Sequence, residues 1–206
     1  MGHISQGFIC LRKADAVKES RFLVRPAIEL TIKQRAIARR PDLIYRLGLT
    51  ETRSDWAWLH GLAKQVGETF DEAPHKAELQ RFKDDCLKLF PSGDFSEARL
   101  TIEELAKAFE GGDAYYNSAY RTYCKFTHAT LRAIIGSLDE VATDNDNPTM
   151  IGCVIRAVET LASIGDAAPN LDRLYTRRDE LLKKKMADDQ AIGPGEETNP
   201  AQASSE

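Results

Sequence analysis

Apolar residues recur along most of this chain at three- and four-residue intervals, the spacing of helices that bury one face. The longest unbroken case runs from Asp113 to Leu138. Tyr116, Tyr120, Tyr123, Thr127, Leu131, Ile134 and Leu138 form one stripe there, and Arg121, Lys125 and Arg132 another. This segment is expected to be the helix around which the others are organised. The first ten residues show little pattern. From about Leu11 a helix is expected, with Val17, Val24, Ile28 and Thr31 on one side and Leu23, Ala27, Leu30 and Ile37 beside them. Pro26 removes one backbone hydrogen bond and crowds the carbonyl four residues back, so a kink is expected there. Arg40-Pro41 should end the helix, because a residue before proline avoids the α region.

Asp42 to Gly67 reads as a second helical region with an interruption near Gly48 to Ser54, after which Ser54 or Asp55 would cap the second half. A third helix is expected from Pro74 to Phe90, proline suiting its first turn. Thr101 followed by Glu104 fits a capping box for a short helix that reaches Glu110 and stops at Gly111-Gly112. After Leu138, Asp139 to Asn147 reads as an acidic loop, and Asn147-Pro148 as the cap and first position of a helix through Ile164. Gly165 to Asn170 should turn, and Leu171 to about Asp188 should form a last, highly charged helix. Residues 189–206 carry no aromatic side chain and are rich in Gly, Pro, Glu and Ser, a composition expected to be disordered. No strand pattern or fixed repeat emerges. The expected fold is an all-α helical bundle of about six or seven helices, one domain over residues 1–188 followed by a disordered C-terminal tail.

Composition narrows the function classes. The chain has 206 residues, enough for a sizeable core, with 42% hydrophobic and 29% charged residues. No run approaches the roughly 18 apolar residues of a membrane span, and MGHISQGFIC lacks the basic and apolar regions of a signal peptide, so the expected location is cytoplasmic. The net charge of −4 does not draw polyanions to the whole molecule. Local basic groups at Arg35, Arg39 and Arg40, and at Arg177, Arg178, Lys183, Lys184 and Lys185, read as solvated helix faces or helix ends. Cys10, Cys86, Cys124 and Cys153 lack ligand spacing and read as reduced thiols in packed positions rather than a metal site. His60 and His75 read as surface or internally satisfied residues.

Glycine-rich phosphate loops, the G-x-S-x-G elbow and H-E-x-x-H are missing from the sequence, and no cofactor is implied. What remains is Arg121 and His128. Seven helical residues amount to two turns less about 20°, so the two point nearly the same way about 10 Å apart. Imidazole can take a proton from a ribose 2′-hydroxyl or return one to a leaving 5′-oxygen. A guanidinium can hold the scissile phosphate and stabilise its developing charge. Such a site needs no metal. Asn117 and Lys125 would support it from the same face. Arg25 and Glu29, spaced i, i+4 among apolar neighbours, can form a partly buried ion pair. The alternative is a non-catalytic interaction or scaffold protein, with Arg121, His128, Arg25 and Glu29 in a buried polar network and the tyrosines filling the core.

Arg121-Thr-Tyr-Cys-Lys-Phe-Thr-His128 matches R-x(4–6)-H and resembles the signature of the HEPN superfamily, small helical domains that include metal-independent RNases of toxin–antitoxin and defence systems. FLVRPAIEL with YYNSAYRTYCKFTH also resembles an uncharacterised family of bacterial all-helical proteins with an early R-x-x-x-E helix and a late Y-x-x-x-Y-R…H helix. The likeness implies Arg121 and His128 as catalytic residues, with Arg25, Glu29, Tyr116 and Tyr120 accompanying them. It further implies RNA or a nucleotide as ligand, a homodimer that joins two R…H helices, and an antitoxin or other protein partner.

Overall fold

The computed structural model describes residues 1–127, 139–164 and 171–191, without the side chains of 17, 18, 126, 127, 139–145, 185 and 188–191. The fold is all-α, as expected, with no β-strand among the described residues. Its centre is α3 (Val24–Arg39), not the helix that begins at Asp113. Val24, Ala27, Ile28, Thr31, Ile32 and Ala36 of α3 are fully buried at the three- and four-residue spacing of one helix face. Each Val or Ile buried in this way stabilises the fold by about 1.5–3 kcal/mol. The Thr31 hydroxyl is satisfied within the helix, donating to the Ala27 carbonyl at 2.8 Å. Around α3 pack α6 (Ile102–Lys107), with Leu105 and Ala106, and the long α9 (Asp139–Ile164), with Met150 and Cys153.

The chain reaches α3 through two short helices where one kinked helix was expected. The opening residues form α1 (Gly2–Lys13), which sets Ile4 and Phe8 one turn apart against the core. Asp15 takes a left-handed φ of 59°, and α2 (Val17–Arg21) follows. A second break at Phe22 and Leu23 then starts α3 at Val24. Pro26 therefore lies in the first turn of α3, where a backbone N–H has no partner inside the helix to lose, so it causes no kink.

After Arg40, whose extended backbone before Pro41 ends α3 as expected, a 3₁₀ turn (Pro41–Leu43) leads into α4 (Ile44–Gln65). This helix has no interruption at Gly48 to Ser54, and neither Ser54 nor Asp55 caps it. Gly48 is used for close packing: a Cβ there would lie 2.8 Å from Cε1 of Phe82 on α5 (Ala73–Leu89). Pro74 falls in the first turn of α5, as expected. Tyr45, Leu49 and Cys86 form a second buried cluster, on which Leu79, Phe82 and Phe95 pack. His60 bonds Glu72, and His75 stacks on Phe70 at 5.2 Å.

Arg46, 8% exposed, ties this cluster to the rest. Its guanidinium donates to Asp94 at 2.7 Å, to the Ala98 carbonyl at 3.4 Å and to Glu104 at 3.5 Å. The Ser96 backbone N–H, followed by Arg46, holds the Asp94 carboxyl below the usual carboxylate range. The Thr101 backbone N–H does the same for Glu104. That second bond is half of the expected capping box, and Thr101 Oγ1 accepts from the Glu104 N–H at 3.1 Å. A carboxyl whose folded pKa is depressed contributes stability above its unfolded pKa and loses it as pH falls through the folded value. Asp94→Asn and Glu104→Gln are therefore expected to flatten the acid side of a plot of urea midpoint against pH. An unchanged acid limb would dissociate these carboxyls from the clamp.

α6 ends at Lys107, short of the expected Glu110, so the turn that follows it, and not Gly111-Gly112, stops the helix. A Cβ on Gly112 would lie 1.8 Å from the Ala106 carbonyl oxygen, a backbone atom that cannot rotate away. Gly112→Ala is thus expected to cost about 1–3 kcal/mol, the range of an overpacked site, read as a shift in the urea midpoint. A wild-type midpoint would mean that the approach is looser than described.

The acidic segment expected to be a loop, Asp139 to Asn147, is helical and opens α9, with Pro148 inside the helix. The physical reason is partnership: Asp146 is fully buried and bonded, and Asn147 accepts from Arg12 Nε of α1 at 3.2 Å. The last helix, α10 (Asp172–Ala191), is bound to α9 by a hydrogen bond from the Tyr175 hydroxyl to Glu159. The turn expected at Gly165 to Asn170 and residues 192–206 of the expected tail lie outside the described residues. Cys86 and Cys153 are buried and Cys124 half-buried, but Cys10 is exposed rather than packed, and all four are free thiols. No described helix is long and apolar enough to cross a membrane.

Candidate functional site

The helical run after Gly111 changes pitch twice. It begins as α7 (Gly112–Tyr115), widens into a π-helical turn (Tyr116–Tyr120) and narrows again into α8 (Arg121–Thr127). Side chains brace the wide turn by bonding carbonyls four residues back: Asn117 to Asp113 at 3.0 Å, Ser118 to Ala114 at 2.7 Å, and Thr122 to Ser118 at 2.6 Å. Such back-bonding competes with the regular ladder and distorts helices. π-Turns are rare and cluster at functional positions. Here the turn brings the rings of Tyr116 and Tyr120 into a stack, centroids 5.2 Å apart and planes 22° from parallel.

The wide turn also breaks the tyrosine stripe expected from a regular helix. Tyr120 and Tyr123 are buried as expected, but Tyr116 is half-buried at a cleft. Tyr115, outside the expected stripe, reaches the core, where its hydroxyl meets Cys153 Sγ at 3.1 Å and Arg156 lies over its ring at 4.6 Å. Burial pushes the Tyr115 hydroxyl and the Cys153 thiol up, which leaves that thiol inert.

Six of the seven residues expected to form the site are described, and they divide between two sides of this run. Asn117, Arg121 and Lys125 are exposed one turn apart. Arg121 Nη1 donates to Asn117 Oδ1 at 3.4 Å and makes no ion pair among the described residues. His128, together with Leu131, Arg132, Ile134 and Leu138 of the same expected helix, lies outside the described residues. On the other side, Arg25 Nη2 donates to the Tyr120 hydroxyl at 3.4 Å, its guanidinium 5.7 Å from that ring's centroid. The bond to the Tyr120 hydroxyl raises the Arg25 pKa, and burial raises that of Tyr120. Glu29 forms an ion pair with Lys33 at 3.1 Å, and Lys33 reaches Glu51 of α4 at 2.9 Å. Glu29, Lys33, Glu51, Tyr116 and Tyr120 line a cleft of about 730 Å³ between α3, α4, α6 and the π-turn.

A buried charged group was missed by the sequence reading. Asp146, fully buried, accepts from the Tyr123 hydroxyl at 2.8 Å and from Arg21 Nε, itself 4% exposed, at 3.2 Å. Burial raises the Asp146 carboxyl even against these donors, and burial next to Asp146 pushes the Tyr123 hydroxyl up. Asp146 precedes Met150 and Cys153 by four and seven residues, so the apolar stripe of α9 extends back onto it. That register is the signal that could have found it. No group of three or more described His, Cys, Asp and Glu residues could hold a metal ion.

Residues 1–148 match DUF5677, a family of unknown function. The chain belongs to that family. The span shared with DUF5677 runs from α1 through α8 to the first turns of α9, so it includes Arg121, His128 and the Asp146 network, while α10 lies beyond it. No curated protein and no solved structure matches this DUF5677 chain.

Proposed function

We propose that this chain is a HEPN-like RNA-binding protein that cleaves RNA without a metal, as a homodimer of the defence or toxin–antitoxin type. The observation that carries the reading is the exposed Arg121 guanidinium, whose one hydrogen bond among the described residues goes to a neutral amide. A cation left in that state is available to a phosphate, which it can grip through two parallel N–H groups. Lys125 and Asn117 extend the same face. His128 takes the proton from the 2′-hydroxyl, the 2′-oxygen bonds to phosphorus, and the bond to the 5′-oxygen breaks. The leaving oxygen receives its proton from an imidazolium, supplied by the partner copy. Arg121 neutralises the phosphorane as it forms.

The test is incubation of the purified protein with mixed single-stranded RNA in excess chelator. Products ending in 2′,3′-cyclic phosphate are expected, and RNA left intact and unbound would overturn the reading. A second reading is favoured by the exposure of Trp58 (66%) and Leu62 (44%) on α4 and of Val66 (64%) directly after it. Under it the chain is a non-catalytic interaction protein, and an antitoxin or other protein covers these side chains. Intact RNA together with a protein complex that Trp58→Ser disrupts would support it.

A further inference from the structure

We propose that the cleft between α3, α4, α6 and the π-turn is a base-recognition pocket for guanine, with Tyr116 as stacking surface and Glu29 as the acceptor of the base edge. The proposal rests on the RNA-binding reading and supplies its substrate preference. The cleft and the Arg121 face belong to one helical run. Tyr116 and Tyr120 line the cleft, and the residues directly after them, Asn117 and Arg121, are exposed. A strand whose phosphate lies on Arg121 would thus have a neighbouring base beside the tyrosines.

The chemistry of the lining selects a base over a phosphate. Glu29, Glu51, Asp55 and Glu103 line the cleft against only two cations, Lys33 and Arg99. An anionic group would meet net repulsion there, while a neutral aromatic ring would not. Unstacked RNA bases are held by aromatic side chains and read along their Watson–Crick edges. A carboxylate has acceptor sites on both oxygens and no donor. Guanine offers it two adjacent donors, N1–H and the 2-amino group. Adenine and cytosine each offer one amino group, and uracil one N–H.

Glu29 suits that role by position. It is half-buried on α3, one turn after Arg25, and its negative charge acts on the Tyr120 hydroxyl. Lys33 pairs with Oε1 and reaches Glu51 as well, which fixes the carboxylate. Each carboxylate oxygen has two acceptor sites, so both Oε1 and Oε2 can still receive the base edge. The ring stack of Tyr116 on Tyr120, with Arg25 against Tyr120, holds the aromatic wall in place before any ligand arrives. A pocket ordered in advance loses less affinity to the immobilisation of its own side chains.

The test is calorimetric titration of the full chain with guanosine, adenosine, cytidine and uridine. A nucleoside carries no phosphate, so the measurement does not engage Arg121. Guanosine is expected to bind, with the others about tenfold weaker or more, the margin that unmet polar contacts easily supply. Tyr116→Ala should weaken guanosine about 5- to 150-fold, the loss of one base–aromatic stack. Tyr116→Phe should retain binding, which separates stacking from a folding defect. Glu29→Gln should remove the preference for guanosine, because an amide presents a donor where the base needs an acceptor. Equal binding of all four nucleosides, or binding of none, overturns the proposal. If RNA is cut with no base preference and no nucleoside binds, the pocket fails while the cleavage reading stands. If guanosine binds and no RNA is cut, the pocket stands and the cleavage reading fails.

Discussion

Replacing Asp146 by alanine is expected to destabilise the fold by about 3–5 kcal/mol, the cost of leaving one partner of a sealed ion pair without its counter-charge. Arg21 is 4% exposed and Asp146 fully buried, so neither can turn to water when the other is removed. At about 2–4 °C per kcal/mol for a chain of this size, the thermal midpoint should fall by about 6–20 °C. Tyr123→Phe removes one hydrogen bond from the same carboxylate and should cost about 1 kcal/mol. Asp146→Asn keeps acceptor and shape and should fall between the two. pH supplies a sign that distinguishes this group from Asp94 and Glu104. Its folded pKa is raised, so its proton-linked contribution is complete below the unfolded value of about 3.9 and is lost as pH rises through the folded value. Asp146→Asn should therefore lose less stability, relative to the parent, as pH rises through that window. A midpoint for Asp146→Ala within a degree of the parent would mean that the network does not hold α9 to α2 and α8.

Arg121→Ala and His128→Ala are each expected to reduce metal-independent RNA cleavage by about 10²–10⁴-fold, the usual contribution of a positioned acid–base group or charge stabiliser. The two losses should not add, since a phosphate held without a base and a base without a held phosphate fail at the same step. Arg121 is exposed, so its alanine variant should stay within about 0.5 kcal/mol of the parent in stability. This contrast is the useful one: Asp146 governs folding, Arg121 the reaction. Initial rates on a labelled RNA in chelator, with the melting curve of the same preparation, read both. Arg121→Ala cleaving at the parent rate would end the catalytic assignment.

Where local rules acted alone, the helices were legible. The Arg40-Pro41 stop, Pro74 in a first turn and the Thr101/Glu104 capping box each depend on neighbours in sequence, and each is found. The errors share another cause. Asp139 to Asn147 looked like a loop because Asp146 and Asn147 are polar, but their partners Arg21, Tyr123 and Arg12 come from distant parts of the chain. Gly48 looked like a breaker because the Phe82 ring that needs the space lies on another helix. Pro26 reads from sequence as an interior proline because the break at Phe22 and Leu23 carries no glycine or proline to mark it. At the candidate site, pattern put Asn117, Arg121 and Lys125 on one face but left open a buried network for Arg121, and all three side chains are exposed. The turning of Tyr120 away from Arg121, into a cleft that Glu29 lines, follows from the π-turn, which no two-state reading of periodicity contains.

That wide turn has a consequence for the chain as a mechanical object. A π-turn holds one residue more than the α-turn it replaces, so it works as a swivel: α8 is rotated about the helix axis relative to α7. The orientation of the aromatic wall and the orientation of the Arg121 side were thereby set independently. Substitutions that tune one need not disturb the aim of the other, whereas the loss of a single residue between Tyr116 and Tyr120 would turn the two together.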